Sequence, residues 1–275
     1  MELSMYLVYA FSKYKEGVFK TELDAIKYFY DRGIRYGTVC DDDYSEYSTE
    51  DYVALMNEAG LKPDCFVTTI NTASFDKNER RKNIDIVKGY IDKMEKLNIP
   101  LLMPAPAVKY ADNQEELHTM HEILIESFAE ISEYSKSAGI VTALENQSVI
   151  RRADSTIKDV RHILDSVPDL RYVFDAGNFF CVREDALEGY EALKDRIVHS
   201  HYKDWAFVEN GGFERENMKN FDGIPYGKGE IPLEEISKRL IKDGFNIKVV
   251  LEYNALSKTI DQLGECADFL VKMFN

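Results

Sequence analysis

Short runs rich in Val, Ile and Leu alternate with longer amphipathic segments along the whole chain. This alternation is typical of strand–helix units and of a parallel sheet, because parallel neighbours need a long crossover between them. Dividing 275 residues by eight units gives about 34 per unit, enough for one strand, one helix and two loops. The predicted strands are 5–10, 34–39, 64–69, 99–103, 140–145, 171–175, 197–201 and 247–252.

We therefore predict an α/β fold, a single (β/α)8 TIM barrel in which residues 1–275 form one domain. Such barrels commonly run to about 250 residues, and no linker or low-complexity tract divides this chain. An open doubly wound sheet is the alternative. Eight even units, and the absence of G-x-G-x-x-G after the first predicted strand, disfavour it.

The helices carry recognisable start and stop signals. Thr21 and Ser48 each precede an acidic first turn and are predicted N-caps. Four glycines that follow predicted helices are expected as left-handed C-terminal caps: Gly33, Gly60, Gly139 and Gly244. Between Asn113 and Ala138 we predict a long helix with an apolar stripe against the barrel, formed by Leu117, Met120, Ile123, Leu124, Phe128 and Ile131.

Composition limits the partners. The net charge of −15 repels polyanions, so DNA, RNA and anionic membranes are poor partners and a small molecule is favoured. Four separated cysteines do not suggest a disulfide framework, and no apolar run approaches the roughly 20 residues that span a bilayer. We expect a cytoplasmic protein, and the oligomeric state is left open.

Four ionisable residues stand at the ends of predicted strands: Glu145, Asp175, His201 and Glu252. Their spacings of 30, 26 and 51 residues match one unit, one unit, and one unit plus a long loop. Strand ends of a parallel barrel meet at one mouth, where active sites lie, so we expect these side chains to converge. Core packing explains them poorly, because ionisable groups are costly to bury unpaired.

Three carboxylates and an imidazole that converge need a cation, because like charges a few ångströms apart repel strongly. The set predicts one divalent metal ion, with Mn²⁺, Mg²⁺ or Co²⁺ favoured by its oxygen-rich ligands. Zn²⁺ is the alternative, although it more often recruits further histidines or cysteines. The competing interpretation of each acid taken alone is an ordinary helix-capping loop residue.

Four motifs surround these residues: Leu144-Glu145-Asn146, Asp175-Ala-Gly-Asn178, His201-Tyr-Lys-Asp204, and Gly227-Lys-Gly-Glu-Ile-Pro232 followed by Gly244-Phe-Asn-Ile-Lys-Val-Val-Leu-Glu252. Together they resemble the sugar phosphate isomerase/epimerase family of xylose isomerase-like TIM barrels, in the AP endonuclease family 2 superfamily. The likeness covers the second half of the chain, and the first half fits in strand rhythm only. It implies that the four strand-end residues bind one divalent metal and that Glu145 and Glu252 exchange protons with the substrate.

The predicted function is therefore a metal-dependent isomerase or epimerase of a ketose or ketose phosphate. A metal that holds the carbonyl and hydroxyl oxygens of the sugar stabilises the enediolate formed when a C–H proton is removed. Glu145 and Glu252 are the predicted acid and base on either side of the substrate. Pure metal ligation is the alternative role for either glutamate.

Five further residues are predicted to bind the substrate: Asn178, Lys203, Asp204, Trp205 and His199. The family motif usually has histidine where this chain has Asn178, which can donate a hydrogen bond but cannot carry a proton. The alternative to substrate binding by Lys203 and Asp204 is that they form a structural ion pair. His199 lies two residues before His201 on the same strand face, so an interior position one layer down is the competing interpretation.

Other loop residues are weaker candidates for substrate contact. Four aromatic residues beyond predicted strand ends would stack on a sugar or, alternatively, pack inside a lid: Phe11, Phe179, Phe180 and Trp205. The lid itself is predicted in the long polar segment 205–231, which follows the seventh strand. Arg151, Arg152 and Lys109 are candidates for an anionic substrate end, with solvated loop positions as the alternative.

Three other functions compete with the isomerase. A metal-dependent lyase on an inositol-derived ketone would use the same ligands but expel water. A DNA-repair endonuclease of the same superfamily needs more zinc-binding histidines and a basic face, which five histidines and a charge of −15 disfavour. The third competing function is a non-catalytic sugar-binding protein. It is suggested by Asn178, which cannot carry a proton as the usual histidine can.

Overall fold

The computed structural model describes residues 1–41, 47–106, 110–215 and 218–275. Its strands are β1 (Glu2–Tyr6), β2 (Tyr36–Cys40), β3 (Lys62–Thr68), β4 (Leu101–Pro104), β5 (Val141–Glu145), β6 (Arg171–Asp175), β7 (Ile197–Tyr202), β8 (Trp205–Phe207), β9 (Phe213–Arg215), β10 (Met218–Gly223) and β11 (Lys248–Leu251). Its helices are α1 (Val8–Lys15), α2 (Glu22–Asp31), α3 (Thr49–Ala59), α4 (Lys77–Leu97), α5 (Gln114–Ser137), α6 (Ile157–Ser166), α7 (Ala176–Val182), α8 (Ala186–Leu193), α9 (Leu233–Lys242) and α10 (Ile260–Phe274).

Eight parallel strands close into a barrel in the order β1, β11, β7, β6, β5, β4, β3, β2, which confirms the predicted (β/α)8 fold and excludes the open sheet. Closure joins the two ends of the chain, because β1 pairs with β11 through Leu3 opposite Val249. The same strand pairs with β2 on its other side through Met5 opposite Gly37. Among the described residues, no helix has the length and apolarity that a membrane crossing requires.

The first strand was predicted in the wrong place. It runs over Glu2–Tyr6 rather than 5–10, and residues from Val8 onward form α1. The sequence from Met1 to Ala10 is almost continuously apolar, so periodicity does not mark where the strand ends. The bounds of β1 are set by its pairing with β11 on one side and β2 on the other. The sequence of one strand does not contain this information, because it depends on the neighbouring strands.

The helix signals are confirmed. The side chains of Thr21 and Ser48 accept hydrogen bonds from the backbone N–H three residues on, at 3.1 and 3.2 Å. The four predicted cap glycines all have positive φ angles, between 71° and 99°. The long helix α5 buries five of the six predicted residues, and the sixth, Leu117, packs partly buried against the same core.

The long segment after β7 contains its own small antiparallel sheet, in the order β8, β10, β9. Trp205, Phe213 and Phe221 pack edge-on or tilted at ring-centroid distances of 5.3 to 6.0 Å, which gives the sheet an aromatic core. The barrel itself has a separate interior cluster of inward-facing side chains: Cys65, Val67, Leu101, Met103, Ala143 and Val173. By strand alternation, Ala143 and Val173 lie one layer below Glu145 and Asp175.

Candidate metal centre and substrate cavity

The barrel brings the four predicted strand-end ligands together. Glu145 and Asp175 are the last residues of β5 and β6, His201 lies near the end of β7, and Glu252 follows β11 by one residue. One ligand atom from each side chain can be chosen so that all four lie within 4.8 Å of one another. His201 and Asp175 are fully buried, and the Glu252 side chain is 13% exposed. The site is therefore a buried cluster at the carboxyl end of the barrel.

His201 lies between the two glutamates. Its Nδ1 is 2.6 Å from Glu145 Oε1 and 3.0 Å from Glu252 Oε2. Burial opposes protonation of the ring, but the two carboxylates outweigh it and raise the pKa of His201 to about 10. Nε2 of the ring is buried without a hydrogen-bond partner among the described residues. The imidazolium thus bridges the two glutamates.

Lys203 supplies a second cation inside the cluster. Its Nζ lies 2.5 Å from Asp175 Oδ2 and 2.9 Å from Glu252 Oε1, and the residue is 5% exposed. Burial disfavours the ammonium, but the surrounding carboxylates hold the pKa of Lys203 well above its usual value. Burial likewise opposes ionisation of Glu252, yet Lys203 and His201 lower the pKa of that carboxyl to about 2. The three carboxylates are thus largely neutralised by the chain's own cations.

Asp175 is held by a network of asparagines. Its Oδ1 accepts from the backbone N–H of Asn178 at 2.9 Å, so it caps α7. Its own N–H donates to Asn146 Oδ1 at 3.0 Å, and Tyr172 Oη donates to the same oxygen at 2.7 Å. Asn178 Nδ2 donates to the Asn146 carbonyl at 2.8 Å, which closes the network. Burial raises the pKa of Asp175 to about 7, against the opposing effect of Lys203.

A cavity of about 580 Å³ opens above the cluster. Its walls come from segments at the carboxyl ends of the barrel strands, and Glu145 and Glu252 face it while Asp175 and His201 lie behind them. Two amides stand beside the glutamates. Gln147 Nε2 donates to Glu145 Oε2 at 3.2 Å, and Asn254 Nδ2 donates to Glu252 Oε1 at 3.2 Å. The cavity has the size of a small-molecule site.

The donor set fits a hard divalent cation. Ligand distances of about 2.0–2.2 Å place opposite ligands about 4.2 Å apart, close to the largest separation within the cluster. Three carboxylates with one imidazole match the preferences of Mn²⁺, Mg²⁺ and Co²⁺. Glu252 Oε2 lies 3.0 Å from His201 Nδ1 but accepts no well-aligned hydrogen bond from the described residues, so a lone pair on this buried oxygen can point to a metal. The ligand geometry is compatible with the predicted metal.

Three of the predicted substrate-binding residues do not line the cavity: Asn178, Lys203 and Asp204. Asn178 Oδ1 accepts from Lys203 Nζ at 3.3 Å, and both residues are buried behind the ligands. Asp204 is 2% exposed, and its carboxylate accepts from four backbone N–H groups of the long loop, those of Trp205, Gly227, Gly229 and Ile231. Asp204 therefore anchors that loop instead of facing the cavity.

Trp205 and His199 also lie away from the cavity. Trp205 is 4% exposed within the aromatic core of the loop sheet. His199 lies one layer below His201, at a ring-centroid distance of 5.4 Å, and its Nε2 is 3.1 Å from Asp64 Oδ2. It borders a cavity of about 180 Å³ at the opposite, amino end of the barrel. The interior interpretation of His199 agrees with this position.

The weaker candidates are placed in packing roles. Phe11 stacks on Tyr47 at 5.1 Å, and Phe179 packs on Phe174 of β6. Phe180 packs on Phe207, which belongs to the predicted lid segment. Arg152 is paired with Asp154 at 2.7 Å, and Arg151 lies 3.6 Å from Asp112, so neither lines the cavity. Lys109 lies outside the described residues.

Several cavity residues were missed from the sequence. Tyr6 and Tyr9 line the cavity, and the Tyr6 ring lies edge-on to His201 at 5.4 Å. Both fell inside the misplaced first strand, which hid their position at its carboxyl end. Lys13, Asn254 and Lys258 also line it, from the segments that follow β1 and β11. With β1 correctly ended at Tyr6, both tyrosines would have been predicted at the carboxyl end of a barrel strand, where active sites lie.

Comparisons with known proteins agree with this architecture. A family model described as the xylose isomerase-like TIM barrel matches residues 20–273. An uncharacterized protein of Methanocaldococcus jannaschii is 24% identical over 213 residues, which cover 75% of this chain and 74% of that protein. The family model therefore spans nearly the whole chain.

Solved structures share the fold at low identity. A D-tagatose 3-epimerase-like protein has a TM-score of 0.75 and 15% identity, and the match covers 99% of this chain and 97% of that one. A D-psicose 3-epimerase in the presence of D-fructose has a TM-score of 0.73 and 15% identity, over 99% and 97% of the two chains. A protein called IOLI, with a bound zinc atom, has a TM-score of 0.72 and 16% identity, over 99% and 95%.

Proposed function

We propose that this chain, which belongs to the xylose isomerase-like TIM barrel family, is a divalent-metal-dependent isomerase or epimerase of a ketose or ketose phosphate. The observation that carries the proposal is the arrangement of Glu145 and Glu252. Their carboxylates face one cavity and approach His201 Nδ1, at 2.6 and 3.0 Å. Two carboxylates at one cavity suit a reaction in which a carbon loses one proton and regains another.

The metal would be held by Glu145, Asp175, His201 and Glu252. A divalent cation bound there supplies a Lewis acid that stabilises negative charge developing on the sugar oxygens. Mn²⁺, Mg²⁺ or Co²⁺ is our preferred ion, with Zn²⁺ as the alternative. One fold neighbour, a xylose isomerase-like TIM barrel protein of Mycobacterium smegmatis, is described in complex with magnesium.

Proton transfer and the orientation of the glutamates are assigned to residues of this chain. Glu145 and Glu252 remove and return the proton, and the amides of Gln147 and Asn254 orient them by hydrogen bonds of 3.2 Å each. Lys203 holds Glu252 in its ionised form, since the pKa of that carboxyl is lowered to about 2. Glu145 contacts His201 and neutral Gln147 instead of the lysine, so we assign it the proton-removing role.

The proposed substrate class is supported by both the cavity and the family. Tyr6, Tyr9 and Asn254 bring polar groups to a cavity whose volume accommodates a sugar. Fold neighbours named for D-tagatose and D-psicose 3-epimerase activity support a ketose. The net charge of −15 disfavours a nucleic-acid partner. A cytoplasmic location is part of the proposal and is supported by four cysteines that are all free.

The test is a panel of ketoses and ketose phosphates incubated with the protein and Mn²⁺ in D₂O. Deuterium entering one carbon next to the ketone of one sugar, with no loss of water, is the expected result. Deuterium exchange accompanied by net dehydration would identify the lyase instead. No exchange with any member of the panel, from protein shown to hold one metal ion per chain, would contradict the proposal.

A further inference from the structure

Two lysines line the cavity wall. The other cations near the site, His201 and Lys203, lie behind the wall within the ligand cluster. Lys13 belongs to α1, directly after β1, and Lys258 follows β11. Because β1 and β11 are paired neighbours, the segments after them lie side by side at the mouth. Within the described ranges, Lys13 and Lys258 are the two basic side chains that line this cavity.

Lys13 is a nearly buried cation with a displaceable partner. The residue is 3% exposed, and its Nζ lies 2.7 and 2.5 Å from the two carboxylate oxygens of Glu16. The Glu16 side chain is 54% exposed and borders the same cavity. Because the Glu16 side chain is more than half exposed, it can turn toward solvent, and an incoming anion can then take its place at the ammonium.

Lys258 has no carboxylate partner within 4.0 Å among the described residues, although it is partly buried. Burial, and then the nearby charge of Lys13, lower the pKa of its ammonium. Both ammonium groups line one cavity, so their like charges repel each other, and an anion bound at both lysines would reduce that repulsion. The chain as a whole carries a net charge of −15, so an anionic ligand needs local positive charge of this kind to bind.

We propose that Lys13 and Lys258 form an anion subsite, which takes the phosphate or carboxylate end of a ketose whose carbonyl end lies at Glu145 and Glu252. This inference rests on the proposed function for the identity of the carbonyl end. The anion subsite and the glutamates share one cavity of about 580 Å³. Glu252 and Lys258 both lie in the segment that follows β11. One extended substrate can therefore contact Glu252 with its carbonyl end and Lys258 with its anionic end.

The subsite is tested first by binding alone. Inorganic phosphate is titrated calorimetrically into the Mg²⁺-loaded protein and into three variants: Lys258→Met, Lys258→Arg and the control Lys20→Met. Loss of one charge-assisted contact is expected to weaken phosphate binding about tenfold in K258M. K258R keeps the charge and is expected to bind nearly as well as the parent. Lys20 is exposed and does not line the cavity, so K20M is a matched control.

The second test compares substrates in the D₂O assay. Each active ketose is supplied neutral, as its terminal phosphate and as its terminal carboxylate, which separates the two anionic ends. The ratio of kcat/KM for the preferred anionic form over the neutral form is expected to fall about tenfold in K258M and to recover in K258R. A ratio that is the same in K258M and the parent protein would overturn the subsite.

The two experiments separate the two proposals. Phosphate binding that depends on Lys258, without exchange on any sugar, would leave the subsite and overturn the proposed function. Exchange on a neutral ketose, with phosphate binding that K258M does not weaken, would leave the function and overturn the subsite. Absence of phosphate binding at millimolar concentration in the parent protein would also overturn it.

Discussion

The ammonium nitrogen of Lys203 lies 2.5 Å from Asp175 Oδ2, so the ligand cluster of this barrel contains a cation of its own. Both residues are buried, and strong mutual attraction is expected where little water screens the charges. The pair keeps three converging carboxylates compatible with a folded protein before any metal binds. It also predicts how the protein responds when that cation is removed.

We expect Lys203→Met to destabilise the metal-free protein by about 3–5 kcal/mol, because it leaves buried carboxylates without their partner. Added Mn²⁺ is expected to raise the melting temperature of K203M more than that of the parent protein, since the ion replaces the lost charge. Thermal unfolding with and without a chelator measures both effects. Lys248→Met is the control: its partner Glu2 is at the surface, so a loss of at most about 1 kcal/mol is expected. Equal metal-induced shifts in K203M and the parent would contradict this role.

Glu145→Gln and Glu252→Gln are each expected to abolish deuterium exchange at the substrate carbon, because an amide cannot accept the proton. Exchange is measured by mass spectrometry on the sugar that the panel identifies. Glu234→Gln, on the exposed first turn of α9, is the matched control and is expected to exchange at the parent rate. Circular dichroism establishes that the variants are folded. Full exchange in E145Q or E252Q would refute the role assigned to that glutamate.

The loop anchor Asp204 predicts a pH dependence of stability. Burial raises the pKa of this carboxyl to about 6, against four backbone hydrogen bonds that lower it. The folded chain then binds this proton more tightly than the unfolded chain, whose Asp titrates near pH 4. Between about pH 4 and pH 6 the contribution of Asp204 to stability therefore falls as the pH rises. Urea unfolding at several pH values in this range measures that contribution. It equals the free energy of unfolding of the parent protein minus that of Asp204→Asn. A difference that grows with pH would have the wrong sign.

Gly229 is expected to be irreplaceable in the same anchor. An added Cβ would collide with the Asp204 carboxylate and lie 2.5 Å from the Trp205 carbonyl oxygen. We expect Gly229→Ala to lower the free energy of unfolding by about 1–3 kcal/mol through this overpacking. Gly89→Ala is the control, because an added Cβ there meets no atom within 4 Å and α4 should gain about 0.5–1 kcal/mol. Equal stabilities of the two variants would contradict the contact.

Much of the fold was predictable because the signals that specify it are local. Strand–helix alternation depends on side chains close in sequence, and helix caps such as Thr21 depend on an N–H three residues away. The spacing of Glu145, Asp175 and His201 counts one structural unit at a time, so their convergence also followed from the sequence. Their binding of a metal stays a prediction.

The tertiary structure alone decided where β1 lies and which cations neutralise the converging carboxylates. Strand β1 and the positions of Tyr6 and Tyr9 depend on pairing with β11, near the opposite end of the chain. Closure also brought Lys13 and Lys258 to one cavity, and it turned Lys203 toward Asp175 instead of that cavity. Periodicity reports which face of an element is apolar, but not which element lies opposite. Local pattern thus determined the barrel and its strand-end ligands, while long-range pairing determined the partners of each charge.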